Sequence, residues 1–214
     1  MKSLLLKLAG LTILVTSLLF TGAVVASSQI ENFLIENKGN AMSCNAAAAK
    51  TQAIQEIEYL RRWYAKATDL IGVATPESIE QGRAIYHRIF TVDAKLDAGP
   101  DREPQVGPDA WVTLVLGALG ELGPTQHLIG TQLAEIKSLE LDDECNVVSG
   151  SAYMESYLQA WHEQKDEKVW LFLGTYFDDV VFVPGAGWRI EKMILQQVAG
   201  ETRYMDAAVG KAAD

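Results

Sequence analysis

The chain has 214 residues, 49% of them hydrophobic, and it carries a formal net charge of −10 at pH 7. This length and apolar content suit one packed domain. The excess of negative charge, with no local cluster of lysines or arginines to offset it, opposes binding to nucleic acid or to an anionic lipid surface. We therefore expect no nucleic-acid partner and no attachment of the folded domain to a membrane.

Residues 1–26 have the pattern of a secretory signal peptide. Lys2 and Lys7 precede an apolar run that ends in small residues, which predicts cleavage before Ser27. The alternative is an uncleaved membrane anchor, because the apolar run approaches the length that spans a bilayer. Cleavage predicts a periplasmic or secreted protein that touches the membrane through this segment alone, with a mobile lead-in over residues 27–44.

The cysteines and histidines are few. Cys44 and Cys145 predict one disulfide in an exported chain, although two free thiols that lie far apart would give the same count. The three histidines, His87, His127 and His162, lack the helical i, i+4 spacing of a metal site, and no cysteines form a closely spaced pair. The sequence therefore predicts no metal site.

Three helices are predicted in the first half of the domain. The first runs from Asn45, which can cap it, to Ile71, and Gly72 ends it. The second begins at Thr75, a cap residue followed by a proline in the first turn. A short strand over residues 91–96, a loop over 99–108 and a third, apolar helix over 109–122 follow.

The second half has the alternating period of β-strands. Four long strands are predicted over residues 125–136, 149–162, 168–183 and 188–198, with hairpin connections at 164–167 and 184–187. Helices followed by antiparallel strands predict an α+β domain over residues 45–200, in which three helices pack on one face of a strongly curved, mostly antiparallel sheet. Residues 201–214 are expected to form a tail.

His127 lies within an apolar, strand-like run, where an imidazole needs a polar partner. Alternation predicts one mostly apolar face, as expected of a pocket wall, made of Thr125, His127, Ile129, Thr131 and Leu133. The histidine is then either a hydrogen-bonded core residue or a general base. Asp69, far upstream, is either its partner or a carboxylate that faces water at the end of the first helix.

The faces of the next two strands give further candidates. On the strand over 149–162, the pocket side is expected to hold Ala152, Met154, Ser156, Leu158, Ala160 and His162. The opposite side, with Tyr153, Tyr157 and Trp161, faces either solvent or a second copy of the chain, and its aromatic residues favour a homodimer interface through the sheet. On the following strand, Thr175 and Phe177 share a face with Asp179, and Asp178 is predicted to be a structural acid that pairs with a group such as Arg189. Trp111 is expected to pack the third helix on the sheet or to line the pocket mouth.

Three segments together resemble the SnoaL-like branch of the nuclear transport factor 2-like superfamily, which includes scytalone dehydratase and polyketide cyclases. They are the end of the first helix with Tyr64 and Asp69, followed by "IFTVDA"; the run "TQHLIG" at residues 125–130; and the hairpin "GTYFDD … GWRI". The resemblance covers roughly residues 48–198. It implies a cone-shaped α+β barrel in which helices and a curved sheet enclose an apolar pocket.

Carried over by motif, Asp69 and His127 match the aspartate and histidine of a dehydratase-like dyad. The sequence departs from scytalone dehydratase at three positions: Thr68 replaces a tyrosine, Ala160 replaces a second histidine and Phe177 replaces an asparagine. His162 lies two residues beyond Ala160 on the same face, so a shifted register would restore the second histidine. The predicted ligand-binding residues are Tyr64, Trp111, Ala160, His162, Thr175 and Phe177.

The resemblance implies a cofactor-free dehydratase, isomerase or cyclase that acts on a small hydrophobic molecule. Asp69 would orient His127, and His127 would move a proton at a carbon next to a carbonyl. Helical periodicity alone places Asp69 away from the apolar stripe of its helix, so its place in the site follows from the resemblance alone. The alternative is a non-catalytic periplasmic module that binds a small molecule or assembles with a partner.

Overall fold

The computed structural model describes residues 44–164 and 167–204. The predicted signal peptide, the lead-in up to residue 43, residues 165–166 of the first hairpin connection and the tail from residue 205 lie outside the described residues. Within them are three helices and six strands: α1 (Ala46–Gly72), α2 (Pro76–Ile89), β1 (Phe90–Asp97), β2 (Gln105–Val106), α3 (Pro108–Leu119), β3 (Thr125–Leu141), β4 (Val147–Gln164), β5 (Lys168–Val183) and β6 (Gly187–Tyr204).

The helices begin where the sequence places their caps. The Asn45 side chain accepts a hydrogen bond from the backbone N–H of Ala48, and the Thr75 hydroxyl accepts one from that of Ser78. The Ser78 hydroxyl oxygen in turn accepts the backbone N–H of Thr75, which completes a capping box. Helix α3 ends at Leu119, earlier than predicted, because the chain turns there toward β3.

The strands form one mixed sheet in the order β2-β1-β6-β5-β4-β3. Strand β1 runs parallel to β6, and every other neighbouring pair is antiparallel. The sheet curls but does not close, so β3 forms one edge and β2 the other. The predicted α+β class and mostly antiparallel sheet are confirmed, and β6 continues to Tyr204, beyond the predicted domain end at residue 200.

A β-bulge in β3 makes part of the predicted face wrong. Thr131 has a φ of 39°, and the pairing with β4 shifts register between Gly130 and Gln132. Thr125, His127 and Ile129 share the inner face, but beyond the bulge Gln132 takes the inward position. Leu133, expected on the pocket wall, points outward and is 62% exposed.

The register of β5 corrects a second prediction. The six residues expected on the pocket side of β4 are all buried, as predicted. Ala160 pairs with Phe172 and His162 with Trp170, so the even-numbered residues of β5 share their face. Thr175 pairs with Tyr157 and Phe177 with Glu155, which places both on the opposite face of the sheet from His127. Neither can line a site with His127.

The interior between helices and sheet is filled by aromatic and charged side chains. Arg61 and Asp178 are fully buried and form a two-point ion pair, with Asp178 Oδ2 3.2 Å from Arg61 Nε. The guanidinium lies between the rings of Tyr64 and Tyr176, 4.4 and 3.8 Å from their centroids. Asp178 is thus a structural acid, as predicted, but its partner is Arg61 and not Arg189.

The described residues contain no free cysteine, and the Cys44–Cys145 disulfide stays a prediction. Over residues 44–164 and 167–204, no helix combines the length and the apolar character needed to cross a bilayer. The same residues hold no cluster of three or more histidine, cysteine or acidic side chains arranged for a metal ion.

Candidate active site

Asp69, in the last turn of α1, meets His127, near the start of β3. Asp69 Oδ1 lies 2.7 Å from His127 Nδ1 and accepts the backbone N–H of the same histidine at 3.1 Å. One carboxylate therefore holds both the ring and the main chain of His127. The side chains are 22% exposed for Asp69 and 6% exposed for His127, so the pair lies at the boundary between core and solvent.

This contact forms because α1 runs along the free edge of β3. An edge strand has N–H and C=O groups without a neighbouring strand, and Asp69 supplies an acceptor for one of them. Further along the same edge, the Gln132 amide donates to the carbonyl of Glu58 at 3.0 Å and accepts from Arg62 Nε at 2.9 Å. The carboxylate therefore has a structural function besides any chemical one.

The contact fixes the tautomer of the neutral His127 ring. An ionised carboxylate can only accept hydrogen bonds, so the proton of a neutral imidazole must lie on Nδ1. The Nε2 atom then carries a lone pair. Among the described residues, no group hydrogen-bonds to His127 Nε2, so its lone pair keeps the capacity to accept a proton.

His162 stands next to the dyad. Its ring centroid is 5.5 Å from that of His127, and its Nδ1 lies 2.6 Å from the Thr125 hydroxyl. In the register of the sheet, Ala160 pairs with His127 and His162 pairs with Thr125. The register is therefore not shifted, yet the two rings touch. Burial, and then the nearby His127, lowers the pKa of His162 to about 4, so its ring is neutral at pH 7.

We expect His162 to titrate near pH 4, against an ordinary value of 6.5. Between these two pH values the unfolded chain binds a proton at His162 that the folded chain does not. The contribution of His162 to the free energy of unfolding is therefore complete above about pH 6.5 and falls as the pH decreases toward 4. An NMR titration of the histidine ring protons measures this midpoint. A His162 midpoint near 6.5 would contradict the assignment.

A surface cleft of about 530 Å³ opens beside the carboxylate. One wall is the end of α1 and the other is the segment between α3 and β3; the lining comprises Lys66, Asp69, Leu70, Gly72, Val73 and residues 122–126. Asp69 faces this cleft, whereas His127 is not part of its lining. A ligand in the cleft would thus contact Asp69 before it contacts His127.

The other predicted ligand-binding residues divide into three groups. Ala160 and His162 lie against the dyad on the inner face, whereas Tyr64 and Trp111 are 2% and 1% exposed and belong to the packed core. Trp111 Nε1 donates to the Tyr64 hydroxyl at 3.2 Å, so the two side chains bind each other. Thr175 and Phe177, on the outer face, are separated from the dyad by the sheet.

Sequence reasoning placed Thr125 on the face of His127 but did not pair it with His162, and it missed Lys66 as part of this site. Thr125 is two residues before His127 on the same strand face, so alternation could have paired it with a residue of β4. Lys66 is one helical turn before Asp69, which could have placed it on the same side of α1.

Comparisons with known proteins agree with this fold. The family model of the SnoaL-like domain matches residues 83–194. A proposed scytalone dehydratase from Novosphingobium aromaticivorans is 20% identical, with a TM-score of 0.56, and the match covers 78% of this chain and 99% of that one. A hexachlorocyclohexane dehydrochlorinase, LinA-type3 from Novosphingobium barchaimii, is 12% identical, with a TM-score of 0.56, over 79% of this chain and 98% of that one.

A nuclear transport factor 2-like superfamily protein from Salmonella enterica is 12% identical, with a TM-score of 0.50, over 77% of this chain and 99% of its own. No curated protein sequence matches the chain significantly. At these identities the solved structures establish the fold alone, and the residues of the site have to be argued from their own geometry.

Proposed function

We propose that this chain, which belongs to the SnoaL-like domain family, is a cofactor-free lyase or isomerase in which Asp69 and His127 transfer a proton. The observation that carries the proposal is the 2.7 Å contact between Asp69 Oδ1 and His127 Nδ1, together with a His127 Nε2 that no described residue occupies. A positioned base of this kind contributes typically about 10²–10⁴-fold to a reaction rate.

In an elimination, His127 Nε2 would take a proton from a substrate carbon next to a carbonyl. The electron pair of the broken C–H bond would form the new double bond, and the leaving group would depart with the electron pair of its own bond to carbon. A leaving hydroxide would regain the proton from His127 and leave as water. In an isomerisation, the same proton would return to a different carbon.

Asp69 and His162 would assist without changing charge. The Asp69 carboxylate would stabilise the imidazolium that forms when His127 takes the proton. His162 stays neutral because burial holds its pKa near 4, so it adds no positive charge to oppose that step. If Thr125 donates to His162 Nδ1, the proton of that ring lies on Nε2, where it can donate to a substrate oxygen.

The names of two structural neighbours favour elimination. One is a proposed dehydratase and the other a dehydrochlorinase, names that denote removal of water and of hydrogen chloride. Neither reaction name includes a cofactor. Their identities to this chain are too low to transfer a substrate.

The experiment is a screen for hydrogen exchange in D₂O. The purified protein is incubated with small hydrophobic ketones and β-hydroxyketones, and deuterium incorporation or loss of water is followed by NMR. We expect at least one compound to exchange faster with the wild-type protein than with His127→Gln, which has no titratable ring. Equal rates for both proteins over every compound would reject proton transfer by this site.

The second candidate is a non-catalytic exported module that binds a small molecule or assembles as a homodimer through the sheet. It is favoured by the filled interior around Arg61 and Asp178, where an apolar pocket was expected. It is also favoured by exposed side chains on the outer face of the sheet, where Leu128, Tyr157 and Trp161 are 57%, 51% and 37% exposed. A compound that binds without exchange would select this candidate.

A further inference from the structure

The cleft beside Asp69 has two fixed walls. On one side, α1 ends at Gly72, where a Cβ atom would lie 2.6 Å from the Thr125 side chain, so helix and strand meet closely at the end of the cleft. On the other side, the Gly123 N–H donates to the carbonyl of Glu163 at 2.8 Å, and the Glu163 N–H donates to that of Pro124 at 2.9 Å. The segment that forms this wall is thereby attached to β4.

The lining combines apolar surface with one charge of each sign. Leu70, Val73, Leu122 and Pro124 supply apolar atoms, Lys66 is the one cation of the lining and Asp69 its one carboxylate. The volume of about 530 Å³ lies within the range of small-molecule sites. Such a lining suits a ligand with an apolar body and a polar end.

Lys66 is exposed, and no carboxylate of the described residues forms an ion pair with it. It precedes Asp69 by three residues, which places the two side chains on neighbouring turns of one helix face, about 5–6 Å apart at their Cβ atoms. The Asp69 carboxylate is already engaged by the ring and backbone of His127. Lys66 therefore keeps its hydrogen-bond donors for a ligand.

We infer that the cleft binds a small amphipathic carboxylate, with its acidic group on Lys66 and its apolar body against Leu70 and Leu122. This rests on the proposed function for the role of Asp69 and deepens it, because it names an anionic substrate class where the sequence predicts a merely hydrophobic molecule. The net charge of −10 means that the protein as a whole does not attract anions. A preference of the cleft for a carboxylate over a neutral ligand must therefore come from a nearby group, Lys66.

The test compares two probes of the same length, hexanoate and its neutral amide, hexanamide. Each is titrated into the ¹⁵N-labelled protein at low salt while the backbone amides of Gly72, Gly123 and Gln126 are followed by NMR. We expect hexanoate to shift these amides with a Kd roughly three- to fivefold lower than that of hexanamide, the size of effect that one partly exposed ion pair gives. Added salt should weaken the hexanoate shift.

The matched variants are Lys66→Met and Lys50→Met, which remove one lysine each from the same exposed helix. Lys66→Met should bind the two probes equally, and Lys50→Met should keep the preference for hexanoate. The inference is overturned if neither probe shifts the cleft amides, if both bind equally to the wild-type protein, or if Lys66→Met keeps the preference. Hexanoate binding together with equal exchange rates for the wild-type protein and His127→Gln in the D₂O screen would instead reject the proposed catalysis alone.

Discussion

Replacing Asp178 with alanine should cost about 3–5 kcal/mol of unfolding free energy, the typical result of removing one partner from a buried ion pair. Arg61 and Asp178 are both 0% exposed. The lost carboxylate would leave a guanidinium that is out of reach of water, with Met193 Sδ at 3.4 Å as a weak remaining acceptor. Urea unfolding followed by circular dichroism measures the loss.

The adjacent Asp179 is the matched control. Its carboxylate lies 3.9 Å from Lys192 Nζ, and both side chains are 49% exposed. A pair of this kind contributes about 0–1 kcal/mol, so Asp179→Ala should change stability little. Equal losses for the two variants would show that the Arg61–Asp178 pair is not the buried element described here.

A double variant separates loss of charge from loss of packing. Arg61→Met with Asp178→Leu removes both charges and keeps apolar volume between Tyr64 and Tyr176. Replacement of a buried pair by apolar residues is often neutral or stabilising, so the double variant should recover most of the loss caused by Asp178→Ala. Failure to recover would mean that the contacts of Arg61 with the two rings stabilise the fold more than its charge does.

The elements that the sequence predicts well are those with local signals. Asn45 and Thr75 start their helices because each side chain caps an N–H a few residues away. The long strands follow from alternation, and their order after three helices, together with the resemblance, predicts the fold. The Asp69–His127 contact joins residues 58 positions apart and could be expected through the resemblance alone.

The wrong predictions concern which face of a strand points inward, because the long-range register of the sheet decides this. Thr131 itself does not indicate the bulge, since a positive φ usually calls for glycine or asparagine. The local signal is the preceding Gly130, because an isolated glycine inside a strand often marks a bulge. On β5 the apolar residues occupy both faces, so alternation cannot say which face is inward, and the pairing with β4 decides it.

The burial of Arg61 could be predicted from the sequence. It lies at the spacing of the buried stripe of α1, four residues after Ile57 and three before Tyr64, where a charge requires a partner. The identity of that partner, Asp178, depends on a contact between residues 117 positions apart, which helical periodicity does not contain.

The filled interior limits where the proposed site can lie. Since the ion pair and the aromatic rings close the space along the middle of α1, the chemistry of the proposed site is confined to the end of that helix. There Asp69 lines the cleft that contains Lys66 and contacts His127, whose ring packs on that of His162. A ligand would therefore approach at the end of the helix and not through the centre of the cone.

Asp69→Asn should lower the exchange or elimination rate by about 10²–10⁴-fold while leaving the fold intact. In the wild-type protein Asp69 Oδ1 makes both contacts, 2.7 Å from His127 Nδ1 and 3.1 Å from the backbone nitrogen. An asparagine oxygen in that position keeps both hydrogen bonds and keeps the imidazole proton on Nδ1. The neutral amide, however, no longer stabilises the imidazolium that forms when Nε2 takes a proton.

Two measurements test this expectation together. The D₂O exchange assay reports the rate, and ¹⁵N NMR of the His127 ring reports which nitrogen carries the proton, independently of any substrate. Glu56→Gln is the matched control, since it removes one carboxylate from the exposed face of the same helix and should change neither result. A full rate in Asp69→Asn would mean that the charge of Asp69 does not assist the base. A proton on Nε2 in the wild-type protein would mean that Asp69 does not set the tautomer.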